Sequence, residues 1–305
     1  MADINWHVEA TSKCTLECPL CDRTWFYEKF KKREIHEIDI EMLKKFLGEE
    51  AEVTFCGNNG DPIYHSRFLE LCEELKKQNT RISITTNGSG KSHTWWEKLC
   101  GILDSGDKVT FSIDGLEDTN HIYRKNAKWK TIMTGIEVCT RHSFKVVWKF
   151  IMFNHNQHQI QEVKNLAKEL GVDEVKVIQS DRWHDLQYLM PDDKHVDQNY
   201  VYKENVRKDL KEYKAKMNPV CMVNKKPANE LYIDSAGNFY PCCFQGGYHW
   251  RHQDIFDPRL TKFNIKDNTV ESILSNLDVK RFFNDIFNYE KVNKCCKINC
   301  GVING

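Results

Sequence analysis

From residue 4 to about residue 180 the chain alternates short β-like runs with helical ones, and this alternation restricts the possible fold more than any other feature. Strands are expected at Ile4 to Ala10, Glu52 to Cys56, Arg81 to Thr86, Lys108 to Ile113, Lys145 to Phe153 and Glu174 to Ile178. Between them a 3.6-residue periodicity predicts helices over Ile40 to Leu47, Ser66 to Lys77, Thr94 to Leu103, Thr131 to Arg141 and Gln159 to Leu170. Asp39 is placed to cap the first of these helices and Gly171 to close the last. Strands separated by helices cannot pair as hairpins. The order therefore predicts a right-handed parallel α/β sheet, either open or curled into an incomplete barrel, with its site at the carboxyl ends of the strands.

At that end of the first strand stands Cys14-Thr15-Leu16-Glu17-Cys18-Pro19-Leu20-Cys21. Pro19 and the crowding of three sulfurs fit neither a central strand nor a helix interior, so the run is a loop that points three soft ligands at one spot. The next residues, Asp22-Arg23-Thr24-Trp25, supply no fourth ligand of the kind a structural zinc site would want close by. Three thiolates suit an iron-sulfur cluster with one iron left open; zinc and unrelated core cysteines are the readings set against it.

Bulk composition narrows the setting. Acids and bases balance at 44 each, so net charge gives no reason to expect a polyanionic partner. The 13 cysteines would suggest disulfides in a secreted chain. Here Met1-Ala2-Asp3-Ile4-Asn5 runs straight into the first strand without a charged-then-apolar leader, and no apolar stretch approaches a membrane span. A cytoplasmic location is therefore expected, with reduced thiols whose clusters signify metal. Cys56, Cys72, Cys100 and Cys139, spread through strands and helices, read as core residues. His7, His36 and His65 read as surface or supporting residues rather than ligands.

Four more strand ends are polar and Gly-rich: Cys56-Gly57-Asn58-Asn59-Gly60-Asp61-Pro62, Thr86-Asn87-Gly88-Ser89, Ser112-Ile113-Asp114-Gly115 and Asn154-His155-Asn156. Each alone reads as an ordinary turn. Together with the cysteine loop they are five strand ends converging on one place, and that convergence carries more weight than any single motif.

At this point the sequence resembles the radical S-adenosylmethionine (radical SAM) enzymes. The resemblance rests on Cys14-x3-Cys18-x2-Cys21, on Gly60-Asp61-Pro62 where the family has a Gly-Gly-Glu-Pro-like turn, on Thr86-Asn87-Gly88, and on Ser112-Ile113-Asp114-Gly115 followed by Tyr123-Arg124. It covers residues 1 to about 180. It implies a partial (β/α)6 barrel of TIM-like kind, in agreement with the strand-helix units counted above. It also implies that Cys14, Cys18 and Cys21 bind a 4Fe-4S cluster whose open iron chelates S-adenosylmethionine. Gly60, Asp61 and Pro62 would line the methionine amino group. Thr86, Asn87, Ser112, Asp114 and Arg124 would stand where the family contacts the carboxylate and ribose, with Asn154 as a further ribose contact. The sequence departs from the commonest family pattern at Leu20, where many members carry an aromatic residue, and at Asn58-Asn59. Neither departure removes a ligand.

Residues 181 to 220 read as a connector, with Trp183 and Tyr188 either reaching the mouth of the barrel or packing the connector onto it, and a solvated helix within Lys203 to Lys216. From 221 to 305 a second cysteine module follows. Leu231-Tyr232-Ile233 leads through the hairpin turn Asp234-Ser235-Ala236-Gly237 into Phe239-Tyr240-Pro241-Cys242-Cys243, and Cys295, Cys296 and Cys300 close the chain. Cys221-x15-Gly237-x4-Cys242 resembles the opening of SPASM/twitch auxiliary-cluster domains. The cysteines are too few for the full SPASM pattern, so the twitch form with one auxiliary 4Fe-4S cluster is the closer match. That resemblance implies Cys221, Cys242, Cys296 and Cys300 as ligands, with Cys243 and Cys295 as alternatives and zinc as a competing metal.

The function expected from these resemblances is reductive cleavage of S-adenosylmethionine to a 5'-deoxyadenosyl radical that removes hydrogen from a substrate. The expected substrate is a peptide or protein side chain, with oxidation, cross-linking or epimerisation as the outcome. The same chemistry on a nucleotide, nucleic-acid base or small metabolite is the alternative, although the neutral charge weighs against a nucleic-acid polymer. A non-catalytic, zinc-stapled binding protein is the alternative of another class. An electron donor such as flavodoxin or ferredoxin is the expected partner, with no membrane involved.

Overall fold

The computed structural model describes residues 4–32, 34–180, 186–192, 194, 217–219, 230–248, 263–285, 291, 295–296 and 300–303. The six expected strands are present as β1 (Asn5–Val8), β2 (Glu52–Phe55), β3 (Arg81–Thr86), β4 (Lys108–Ser112), β5 (Lys145–Met152) and β6 (Glu174–Gln179). They pair in parallel and in chain order, with Asn5 opposite Glu52, Val53 opposite Ile82, Ile84 opposite Val109, Phe111 opposite Trp148 and Phe150 opposite Val177. This is the curled parallel sheet of a partial barrel.

The five expected helices lie between these strands as α2 (Ile40–Leu47), α3 (Phe68–Lys76), α4 (His93–Ile102), α6 (Trp129–Cys139) and α7 (Ile160–Glu169). Two more, α1 (Asp22–Phe30) and α5 (Asn120–Tyr123), follow the cysteine loop and β4. The Asp39 carboxylate accepts the Met42 N–H at 2.8 Å and so caps α2. Gly171, at φ +77°, ends α7. Its N–H reaches Lys168 O at 3.1 Å and the Val172 N–H reaches Ala167 O at 2.9 Å, the paired bonds of a Schellman close.

Period-two alternation divides each strand between two environments. Val53 and Phe55, Ile82 and Ile84, Val109 and Phe111, and Trp148 and Phe150 are fully buried in the main core, which also takes in Leu43, Leu71, Leu99, Ile136 and Val163 from the helices. Burying side chains of this size contributes roughly 1.5–3 kcal/mol each. Trp148 satisfies its indole N–H on the Ile113 carbonyl at 3.0 Å. The intervening strand residues face the barrel interior and are free to be polar.

The hairpin expected after residue 230 is present as β8 (Glu230–Ile233) and β9 (Phe239–Tyr240), closed by Gly237 at φ +81° and by Asp234, whose carboxylate accepts the Ala236 and Asn238 N–H groups. β8 pairs in parallel with β1, Val8 opposite Ile233, so the barrel sheet runs on into the cysteine-rich module as an eight-stranded sheet. β7 (Met217–Pro219) pairs antiparallel with β10 (Gly301–Ile303), and helices α8 (Cys243–Tyr248), α9 (Val270–Ser275) and α10 (Leu277–Asp285) complete the described elements. Trp183, Cys221 and the solvated helix expected within Lys203 to Lys216 lie outside the described residues. Tyr188 is 66% exposed.

Candidate active site

Three buried carboxylates stitch the strand ends together. Glu9, one residue beyond β1, accepts the N–H groups of Asn59 at 2.6 Å and Gly60 at 2.9 Å on one oxygen and the Tyr232 hydroxyl at 3.1 Å on the other. Asp61 accepts the Thr86 hydroxyl at 2.7 Å and the Asn87 N–H at 2.6 Å. Asp114 accepts the Ile151 N–H at 2.7 Å and pairs with Arg124 Nε at 2.6 Å. Each staple thus fixes the backbone of a neighbouring loop. Burial raises the Glu9 and Asp61 pKa values above the ordinary carboxyl range, opposed by the amide donors. Burial works against the charge of Arg124, but the Asp114 carboxylate beside it outweighs this and keeps it protonated.

The cysteine loop is laid over this frame. A Cβ on Gly60 would lie 1.7 Å from the Thr11 carbonyl oxygen, so only glycine allows the turn to back onto the start of the loop. The Asp61 N–H then bonds Lys13 O at 2.8 Å. Beneath the loop Leu16, Cys18 and Leu20 pack with Tyr123, Phe153 and Leu189 in a small apolar cluster of their own. Arg23, buried, donates to the Leu16 carbonyl, and Cys21 occupies the N-cap position of α1 without a side-chain capping bond.

Cys14, Cys18 and Cys21 line one cavity of about 320 Å³, and Gly60, Asp61, Thr86, Asn87, Ser112 and Arg124 share its wall. Cys14 Sγ accepts from Asn87 Nδ2 at 3.6 Å and from the Leu16 N–H at 3.5 Å. Burial pushes the Cys14 thiol up to about 12 and Cys18 up to about 11. Their thiolate forms therefore call for a cationic partner in the site. Soft donors gathered on one wall, with polar groups and a held guanidinium also on it, fit an iron-sulfur cluster with a charged ligand.

Of the other predicted residues, Pro62 starts a buried turn and Asp114 stands behind the wall, acting on it through Arg124. Asn154 is exposed and not among the residues that line the cavity; its amide donates to the Tyr188 carbonyl. Asn156 is instead the buried residue of that strand end, donating to Asp114 O at 2.9 Å.

Several wall residues escaped the sequence reading. Cys56, expected in the core, is half-buried and lines the cavity, because it continues the inward-facing register of β2. Lys149 lines it too, opposite Ser112. The signal was there: in Lys-Val-Val-Trp-Lys-Phe-Ile-Met a charge between Trp148 and Phe150, both core residues, has to face inward. His7 is buried, with Nδ1 2.7 Å from a Glu230 carboxylate oxygen and Nε2 against the Cys56 carbonyl. Burial opposes its charge, but its bonds to Cys243, Cys56 and Glu230 raise its pKa well above the ordinary histidine value.

The second cysteine group sits at the far side of β1. Cys242 neighbours Cys243, Cys295 and Cys296, and burial together with these thiols raises its pKa. Cys295 and Cys296 are buried, and Gln245 Nε2 donates to Cys296 Sγ at 3.7 Å. Cys300 is half-buried. Asn58, on the cavity wall, donates to the Cys243 carbonyl at 2.9 Å and ties the two groups together. Among the described residues no three His, Cys, Asp or Glu side chains are gathered around a single-ion position.

A strand-end cavity walled by three cysteines on a partial parallel barrel defines a class, and the family comparison agrees with it. Residues 8–176 match the radical SAM superfamily, and the chain belongs to that superfamily. Residues 221–301 match SPASM, an iron-sulfur cluster-binding domain. The protein is thus a radical SAM enzyme that works with a 4Fe-4S cluster and S-adenosylmethionine and carries an auxiliary iron-sulfur domain; the zinc-stapled, non-catalytic alternative gives way to this.

A tungsten-containing aldehyde ferredoxin oxidoreductase cofactor-modifying protein of Pyrococcus furiosus is 24% identical over 184 residues, 56% of this chain and 50% of that protein. The pre-heme d1 synthase of Dinoroseobacter shibae is 25% identical over 164 residues, 53% of this chain and 40% of that protein. The match thus spans half or less of these curated relatives. Among solved structures, anSMEcpe with bound AdoMet has a TM-score of 0.59 at 16% identity, covering 92% of this chain and 82% of that one. Streptococcus suis SuiB bound to its precursor peptide SuiA has a TM-score of 0.62 at 12% identity, covering 91% and 66%. These likenesses establish the shared fold. No helix among the described residues is long and apolar enough to cross a membrane.

Proposed function

We propose that the protein oxidises or cross-links a peptide or protein side chain, with a core ending near residue 180, a connector to 220 and an auxiliary module from 221. The observation that carries this reading is the continuity of the sheet from β1 into β8, tightened by the Asn58–Cys243 hydrogen bond of 2.9 Å. It holds the second cysteine group beside the cavity, where in this reading a cluster would take up an electron from a substrate radical. Cys14, Cys18 and Cys21 would hold the first cluster, and Cys221, Cys242, Cys296 and Cys300 the auxiliary one. Bound there, the first cluster and S-adenosylmethionine supply the 5'-deoxyadenosyl radical that removes hydrogen from the substrate.

The chain's own part is orientation and charge. Arg124, fixed by Asp114, offers its free guanidinium edge to a carboxylate, and Ser112 and Asn87 offer hydrogen bonds on the same wall. The turn of Gly60, Asp61 and Pro62, its Gly60 N–H pinned by Glu9, would line the methionine amino group, and the apolar cluster under the loop would keep water from beneath the thiols. Past Asn59 a groove of about 720 Å³ opens between Phe26 and His36 on one wall and the hairpin turn at Asp234 on the other, with room for an extended chain. Solved neighbours that carry peptides support the peptide reading.

The named sequence relatives favour a second reading, a small cofactor as substrate. Anaerobically reconstituted protein, reductant and S-adenosylmethionine should yield 5'-deoxyadenosine. With short peptides encoded beside its gene, mass spectrometry should record loss of a hydrogen pair from a side chain. Unchanged peptides alongside turnover of a tetrapyrrole would establish the second reading instead.

A further inference from the structure

α1 is built inside out. Its buried residues are Arg23 and Thr24, whereas Tyr27 and Phe30 are 40% and 45% exposed. Residues 27–32 all lie at the surface and include Lys29, Lys31 and Lys32 against one acid, Glu28. The ammonium groups meet rings rather than carboxylates: Lys29 Nζ is 4.7 Å from the Trp25 ring centre and 5.2 Å from that of Phe30, and Lys31 Nζ is 5.9 Å from that of Tyr27. On a chain whose 44 bases and 44 acids cancel, this is a local patch of positive charge and exposed aromatic surface.

The position of the patch says what it is for. α1 starts at the cysteine loop, with Cys21 as its N-cap, and its nine residues rise by roughly 13 Å, so Tyr27 to Phe30 sit on the helix within that rise of Cys21 and Lys31 follows at its C-cap. Tyr27, Lys29 and Lys31 line neither the cavity nor the groove that leads to it; Phe30 and Lys32 are shared with the groove wall and bound the patch on that side. The first three are exposed on the helix that begins at Cys21.

Resting on the reading above, we propose that the outer face of α1, formed by Tyr27, Lys29 and Lys31 with Phe30 at its edge, is the docking surface for a small acidic one-electron carrier protein. The reduced carrier gives up one electron, which enters at the Cys21 end of the helix; no atom or proton changes hands. Lysines bring an acidic partner in from a distance, and exposed rings give a close contact without a large interface, which suits a complex that must dissociate after each transfer.

The test uses the reconstituted holoenzyme with an acidic flavodoxin as probe and the double variant Lys29→Glu, Lys31→Glu. Carbodiimide cross-linking should join Lys29 or Lys31 of the unaltered protein to flavodoxin carboxylates. In the variant, flavodoxin binding should weaken about tenfold at low ionic strength, a deficit that shrinks as salt is added. Flavodoxin-driven formation of 5'-deoxyadenosine should fall in parallel, while dithionite-driven formation stays unchanged. Unaltered flavodoxin binding, or cross-links confined to other lysines, would overturn the proposal, as it would if the patch instead held an acidic substrate peptide. An equal loss with both reductants would also overturn it. Absence of dithionite-driven cleavage in the unaltered protein would count against the enzymatic reading itself.

Discussion

α1 and α2 are consecutive helices built on opposite rules. α2 buries Ile40, Leu43 and Phe46 against the sheet and is capped by Asp39. α1 buries a guanidinium and a hydroxyl, leaves rings at the surface, and begins at a cysteine that makes no capping bond. Packing holds α2. A buried Arg23 bond to the Leu16 carbonyl helps tie α1 to the loop it extends. The difference teaches that a helix can be placed by the demands of a neighbouring site rather than by the core, and that the two kinds fail in different ways when altered.

The largest expected effect separates them most cleanly. Cys21→Ala should reduce 5'-deoxyadenosine formation to background, since one of the three proposed cluster ligands is lost, while the urea stability of the cluster-free chain changes by no more than about 0.5 kcal/mol, because the thiol caps nothing. Retained cleavage would show that Cys21 belongs to the helix and not to the cluster. Leu43→Ala, at a fully buried site, should cost about 2–5 kcal/mol in urea unfolding. In α1, Phe30→Ala should cost about 0.5 kcal/mol or less, its ring being 45% exposed. If the two substitutions cost the same, α1 is a core helix after all.

The same contrast explains what was legible in the sequence. α2 follows from Ile40, Leu43 and Phe46 at helical spacing after an Asp, and all six barrel strands follow from alternation, because core packing writes itself into periodicity. α1 has aromatic residues on several sides and no apolar stripe, so nothing in its pattern distinguishes it from loop. The spacing of Cys14, Cys18 and Cys21 marked a loop of three thiols, which the structure places on one cavity wall, but their role came from the resemblance and not from spacing. Asn154 was assigned by position, yet the strand end turns so that Asn156 is buried and Asn154 faces out. Cys56 and Lys149 required treating a strand's inward face as a cavity wall. The pairing of β8 with β1 joins residues more than two hundred positions apart, and no local signal carries it.

The smallest effect tests whether α2 needs its cap or only its packing. Asp39 has extended backbone, φ −73° and ψ 129°, and its carboxylate accepts the Met42 N–H at 2.8 Å, satisfying one of the amide donors that a helix start leaves open. Its charge also lies at the positive end of the helix. Asp39→Ala should therefore cost about 1 kcal/mol by urea unfolding, and Asp39→Ser, which keeps an acceptor but not the charge, should fall between the two. Neither should alter dithionite-driven 5'-deoxyadenosine formation, because Asp39 is not among the residues of the cavity wall. A cost near zero for the Ala variant would mean that Ile40, Leu43 and Phe46 hold the helix by themselves. α1 and α2 would then differ only in what they bury, and the absence of a cap at Cys21 would carry no energetic meaning.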